Sequence, residues 1–214
     1  MGAPITAYNR ISDEVIRVHS NIYTPGLVVV VDETLLHSVD VTAGLKEDGA
    51  IIVNTPKSAD EIKPMLNGYQ GKVYTVDERK ISIQALGKYF PNSPMLAAAV
   101  AVSGVMKKDA FISEMRASYQ HKFAKKPEVI DGNMQALELT YEELKNELQA
   151  YGSREKIYQQ AENLLNDGKL EEAERLLESD FEASMKRQSY KGYVYGKTKE
   201  LLFKYEDASK GYLN

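Results

Sequence analysis

An open, mostly parallel α/β sheet with flanking helices, continued by a helical C-terminal extension, is the fold class predicted by three features of the sequence. The runs "GLVVVVD" (26–32), "AIIVNT" (50–55) and "KVYTVD" (72–77) are continuous, apolar and rich in β-branched residues. Strands read this way when both faces of a parallel sheet are covered. Each run is followed by a segment with helical spacing, the alternation from which α/β sheets are built. After Asp77 the strand signals stop and helical periodicity takes over.

In chain order, "ITAYNRI" (5–11) and "VIRVH" (15–19) alternate partly and are linked by "SDE", which predicts a strand pair with a short turn. The first helix is expected from Glu33 to about Lys46, broken near Gly44 and closed by Gly49. The second runs from Ala59 to about Asn67 and is closed by Gly68, with Ser58 and Glu61 spaced as a capping box. Four further segments carry helical spacing, "ERKISIQALGKYF", "SPMLAAAVAVSGV", "KDAFISEMRASYQHKFA" and "PEVIDGNMQALELTYEELKNELQAY", with Pro91, Pro94, Gly104 and Pro127 marking the joints. A composition shift at Gly152-Ser153 divides the chain into an α/β domain (1–150) and a helical extension (151–214). In the extension, "EKIYQQAENLLNDGKLEEAERLLES" reads as two amphipathic helices around Asp167-Gly168. It resembles a single tetratricopeptide unit, but such units need about three copies to stack into a stable array. An ordinary helical hairpin is the expectation.

The totals narrow the function. The chain has 214 residues, enough for one sizeable α/β domain and an appendage, and its 27 basic against 31 acidic residues give a net charge of −4. That balance gives no reason to expect a general nucleic-acid or membrane-surface binder. With no cysteine, the chain by itself cannot form a disulfide, a thiolate zinc site or an iron–sulfur cluster. Its apolar runs fall far short of the ~20 residues of a membrane span, and the opening residues lack a secretory pattern, so a cytoplasmic protein is expected.

Chemistry is expected at the ends of the three central strands, which finish in Asp32, in Asn54 with Thr55, and in Asp77. Ligands of parallel sheets bind outside the carboxyl ends of the strands, where amides of the following helices also point. The same residue types also cap helices and turns by accepting otherwise unpaired amides. Both readings stand at this point. His19, His37 and His121 lack metal-site spacing, no serine sits in a nucleophile elbow, and no glycine-rich loop joins a first strand to a first helix. Acid pairs such as Asp13-Glu14, Glu142-Glu143 and Glu171-Glu172 read as solvated charge. Arg10 and Arg17 read equally as solvated cations and as contacts for anions or acidic partners. One tail segment stands apart: "ASMKRQSYKGYVYGKTK" (183–199) carries Lys186, Arg187, Lys191, Lys197 and Lys199 without an acid, interleaved with Tyr190, Tyr193 and Tyr195. Cations among amphipathic rings suit a docking strip on a partner chain, or phosphate and base contacts.

The collinear segments "GAPITAYNRIS", "IRVHSNIYTPGLVVVVDETLL", "VDVTAGLKEDGAIIVNTPKS", "KVYTVDERKISIQALGKYFPNSPML" and "NMQALELTYEEL" resemble the gamma subunit of 2-oxoacid:ferredoxin oxidoreductases of the pyruvate synthase type. The likeness spans about residues 2–146. It implies an α/β subunit of a larger enzyme that oxidatively decarboxylates a 2-oxoacid. In such enzymes thiamine diphosphate with Mg and the 4Fe–4S clusters belong to other subunits or domains, electrons leave through ferredoxin, and coenzyme A usually accepts the acyl group. None of these cofactors is expected to be bound by this chain alone. The expected partners are the other oxidoreductase subunits, with neither nucleic acid nor membrane.

The resemblance also implies that Asn54, Thr55 and Asn92, the last in the linker "FPNSPML", lie near the edge of a composite site as cofactor-binding candidates. No catalytic residue and no metal ligand is expected. Relatives usually begin with a strand, a glycine-rich "GxGGQG" loop and a helix, whereas here Gly2-Ala3-Pro4 follows Met1. The expectation is that the chain is truncated relative to its relatives or that another polypeptide supplies that unit. A free-standing nucleotide-binding α/β module and a helical adaptor are the alternative functions. The substrate among pyruvate, 2-oxoglutarate, branched 2-oxoacids and oxalate is not specified by these residues.

Overall fold

The structure, a computed structural model, describes residues 3–181. These residues fall into two compact units, one of residues 3–69 and 73–140, the other of residues 70–72 and 141–181. The tail segment 183–199 lies outside the described residues.

In the first unit the three β-branched runs form the expected sheet. Strands β1 (Leu27–Val30), β2 (Ala50–Asn54) and β3 (Lys72–Val76) lie in the order β1-β2-β3 as an open parallel sheet. Register is fixed by pairing Leu27 with Ala50 through Val30 with Val53. Side chains alternate across a strand, so Val28, Val30, Ile51 and Val53 share one face. That face is buried with Val73, Ile62 and Leu66 under Leu35, Leu36 and Val41. The opposite face, with the fully buried Ile52, receives helix α3 (Asn92–Ser103), which lies against β1 and β2. Coverage there is incomplete, because Val29 and Val31 remain partly exposed.

The connections are tighter than the spacing predicts. After β1 the chain makes a 3-10 turn, Glu33–His37, and then irregular turns, where one helix to Lys46 is expected. After β2, helix α1 (Ala59–Ile62) runs into a second 3-10 turn, Lys63–Met65, and stops where Asn67 and Gly68 take positive φ. Its capping box forms: the Ser58 amide donates to Glu61 Oε2 at 2.9 Å. Helices α2 (Glu78–Leu86), α3 and α4 (Lys108–Lys122) follow. Pro94 is not a joint. It sits in the first turn of α3, where a missing amide leaves no intrahelical bond unmade.

The strand pair expected at 5–11 and 15–19 does not form. Among the described residues no strand covers residues 3–25, and Ile5, Ile11 and Val15 are exposed, Ile5 at 91%. An isolated pair of short strands is marginal in water without a third strand or a packed helix, and the exposure of these side chains shows that they lack such cover. The alternation marks strand capacity that lacks a partner.

Helix α5 (Pro127–Asn166) runs without a break through Gly152-Ser153, and the division between the units falls at Thr140/Tyr141. In the second unit the expected hairpin is present. α5 ends in a Schellman motif: Gly168 at φ +75° donates to Leu165 O at 3.1 Å and Lys169 N to Leu164 O at 2.8 Å. The chain then reverses into α6 (Leu170–Phe181), with Tyr158, Ala161 and Leu177 buried between the two helices.

Candidate functional site

The carboxyl ends of β1, β2 and β3 converge on a polar cluster at one edge of the sheet. Asp32, after β1, accepts from the Thr34 amide at 2.9 Å and from the Thr34 hydroxyl at 2.8 Å. These bonds, the hydroxyl's first, hold its carboxyl below the usual range. Asp77, after β3, accepts from the Lys80 amide at 3.0 Å and caps α2. Both aspartates therefore work as caps, one of the two roles open from the sequence.

Asn54 is engaged differently. Its Nδ2 donates to the Val31 carbonyl at 2.8 Å and to Glu78 Oε1, while its Oδ1 accepts from the Glu78 amide at 3.3 Å. It therefore ties the end of β1 to the first residue of α2. Thr55, 3% exposed, donates from Oγ1 to Glu33 Oε2 and accepts there from the Lys57 amide at 3.2 Å. Lys57 Nζ lies 3.5 Å from the Glu33 carboxylate. Asn92 opens α3 and is exposed, outside this hydrogen-bonded cluster.

Three participants were not apparent from the sequence: Glu33, Glu78 and Tyr89. Glu78 is 0% exposed and accepts at Oε1 from Asn54 and, at 2.9 Å, from the Tyr89 hydroxyl. Its Oε2 is buried and has no hydrogen-bond partner. Burial pushes the Glu78 carboxyl up, against the two donors on Oε1. Burial, then the bond to Glu78, pushes the Tyr89 hydroxyl up as well, so the phenol keeps its proton and remains a donor. In sequence, Glu78 looks like any acid in a helix's first turn. Only the fold brings it beneath a residue 24 positions earlier.

The edge as a whole is acidic, with Asp32, Glu33, Asp77 and Glu78 against Lys57 and Arg79, whose guanidinium stands 5.9 Å from the Tyr89 ring centre. Among the described residues no group of three His, Asp or Glu side chains is arranged to hold a metal ion, and no helix is long and apolar enough to cross a membrane. Without a cysteine, the chain has no thiolate for an iron–sulfur cluster. The cluster offers buried hydrogen-bond geometry and a perturbed carboxyl but no nucleophile paired with a base.

A second buried polar group pins the helices of this unit together. Ser93 Oγ donates to Asn133 Oδ1 at 2.6 Å and lies 2.7 Å from the Tyr119 hydroxyl, and Asn133 Nδ2 donates to the Val129 carbonyl at 2.7 Å. These bonds join α3, α4 and α5 directly behind Asn92.

The sequence pattern of a family described as pyruvate ferredoxin/flavodoxin oxidoreductase matches residues 1–143. Pyruvate synthase subunit PorC of Thermotoga maritima is 43% identical over 144 residues, which are 67% of this chain and 73% of that protein. The common gamma subunit of the pyruvate/ketoisovalerate oxidoreductases of Pyrococcus abyssi is 43% identical over 122 residues, 53% of this chain and 66% of that one. The crystal structure of the Thermotoga maritima pyruvate oxidoreductase subunit PORC is similar in fold, with a TM-score of 0.50 and 36% identity. The likeness covers 57% of this chain and 65% of that one. The chain thus spans about two thirds to three quarters of the length of these relatives.

Proposed function

Because the chain belongs to the pyruvate ferredoxin/flavodoxin oxidoreductase family, we propose that it is the gamma-type, non-redox subunit of a thiamine-dependent 2-oxoacid:ferredoxin oxidoreductase. In that role it shapes or covers the active site and the access of coenzyme A during oxidative decarboxylation. The observation that carries the reading is the family match over the α/β part of a chain with no cysteine. A subunit without thiolates leaves the 4Fe–4S clusters, and the electron path to ferredoxin, to its partners.

The composite site borders the carboxyl edge. Asn54 and Thr55 spend their polar atoms inside the chain, so they act by fixing the shape of that edge, whereas the exposed Asn92 offers an amide donor and acceptor. The acidic side chains of the edge make a poor cradle for the phosphates of thiamine diphosphate or coenzyme A. Those groups are left to partner subunits. The basic, tyrosine-rich segment 183–199 is the docking strip for a partner subunit.

The test is reconstitution. The isolated chain is expected to contain no iron and to reduce neither ferredoxin nor a viologen dye with any of a panel of 2-oxoacids, and activity should appear in the purified assembly. An isolated chain that reduces the dye on addition of a 2-oxoacid and thiamine diphosphate would overturn the reading. So would an assembly whose rate is unchanged when this chain is omitted.

A further inference from the structure

The fully buried Glu78 has a lopsided environment. Oε1 receives two donors, the Asn54 amide and the Tyr89 hydroxyl, and Oε2 receives none. Oε2 is unsatisfied in either protonation state, but a charge shared onto a buried oxygen without a donor costs far more than an unbonded hydroxyl. Full burial therefore favours the neutral acid, with Oε1 as carbonyl and Oε2 as hydroxyl. The acid beside it favours the same state: Asp77, the N-cap of α2, opposes a second negative charge at Glu78. Asp32 acts likewise on Tyr89, and the two cations of the edge are Arg79, over the Tyr89 ring, and Lys57, beside Glu33.

We propose that Glu78, Asn54 and Tyr89 form a proton-held clasp. The neutral carboxyl joins the end of β2, and through Asn54 the end of β1, to the α2–α3 connection, and the clasp opens when that carboxyl ionises, because the buried charge on the donorless Oε2 must then reach water. Glu78 is thus a positioning residue for the carboxyl edge. The inference rests on the chain's own hydrogen bonds and stands whether or not the subunit assignment does.

Its sign follows from linkage. A carboxyl held above its ordinary value in the folded chain contributes stability that is complete at low pH and is lost as pH rises through its folded pKa. A purely structural carboxylate would behave in the opposite way.

The experiment is carbon-detected NMR titration of the Glu78 side chain in the full chain, with thermal melts across pH for wild type, Glu78→Gln and Tyr89→Phe. Glu78 is expected to titrate above the ordinary glutamate value of 4.5. Tyr89→Phe should move that midpoint further up, because the phenol bond favours the charged form. Glu78→Gln, which keeps the carbonyl acceptor, should abolish the part of the wild-type melting loss that follows the Glu78 midpoint. Titration of Glu78 at or below 4.5, a midpoint unmoved or lowered by Tyr89→Phe, or a glutamine variant that retains the full wild-type pH profile would each overturn the clasp. Should the glutamine variant fail to fold, the Tyr89→Phe midpoint still decides.

Discussion

Asn54→Ala tests how much of the carboxyl edge hangs on one amide. The substitution deletes the bonds to the Val31 carbonyl, to Glu78 Oε1 and from the Glu78 amide. Val31 is 46% exposed, so its carbonyl has water within reach and that loss is small. Glu78 is fully buried, and the substitution leaves its amide without an acceptor and its Oε1 with one donor instead of two. A buried polar group stripped of its partner costs about 1–3 kcal/mol. Two such losses, softened by relaxation, amount to about 2–4 kcal/mol, whereas a lost helix cap alone costs about 0.5–2 kcal/mol. At roughly 2–4 °C per kcal/mol for a chain of this size, the melting temperature should fall by roughly 4–16 °C. The assay is thermal and urea unfolding followed by circular dichroism, with Asn54→Asp as a second probe. The aspartate keeps an acceptor for the Glu78 amide but sets a second acid against the Glu78 carboxyl and the Val31 carbonyl, both of which need a donor, so its deficit should be larger at neutral pH, where it is charged, than in mild acid. A loss below about 0.5 kcal/mol for Asn54→Ala, the level of an ordinary surface substitution, would refute the reasoning.

The remaining predictions concern packing and assembly. Gly132→Ala should destabilise the first unit by about 1–3 kcal/mol, because the new Cβ would lie 2.6 Å from Leu86 Cδ2 and 2.9 Å from the Ala85 carbonyl; a urea midpoint equal to that of wild type would show that α2 and α5 yield more easily than argued. Ser93→Ala removes the hydroxyl shared by Tyr119 and Asn133. It should cost about 1–3 kcal/mol, read as a lower urea midpoint with unchanged slope. In the tail, Tyr193→Ala or Tyr195→Ala should weaken capture of partner subunits more than Lys197→Ala, and high salt should erase only the lysine effect. Light scattering at two ionic strengths checks this, and unchanged affinity for both tyrosine variants would reject the docking strip.

The sheet could be read from the sequence because its strands are covered on at least one face and local in character. Val28, Val30, Ile51 and Val53 are β-branched, consecutive or alternate, and bounded by polar residues. Those properties survive whatever the rest of the chain does. The helix joint at Gly104 is equally local, a glycine in left-handed conformation at a helix end, whereas the one at Gly87 falls inside a segment read as continuous helix. Residues 5–19 show the limit of such signals. Their alternation is real, but a strand is defined by the neighbour that takes its hydrogen bonds, and no stretch of seven residues names its neighbour. Pro94 fails as a breaker for a related reason: its effect depends on its position within a helix, which the residue itself does not announce.

The site was half legible for the same reason. Asn54 could be placed at the end of β2, but its role turns on what lies within reach of its amide, and that is acceptor-rich: the Val31 carbonyl on one side and the Glu78 carboxyl on the other. An aspartate at this position would bring no donor to either and would add a carboxylate to an edge already holding Asp32, Glu33, Asp77 and Glu78. A threonine has a single proton and could serve only one of them. Asparagine supplies two protons and still takes the Glu78 amide on its oxygen. The three bonds it makes account for an amide at this edge through the chain's own structure, whatever binds nearby.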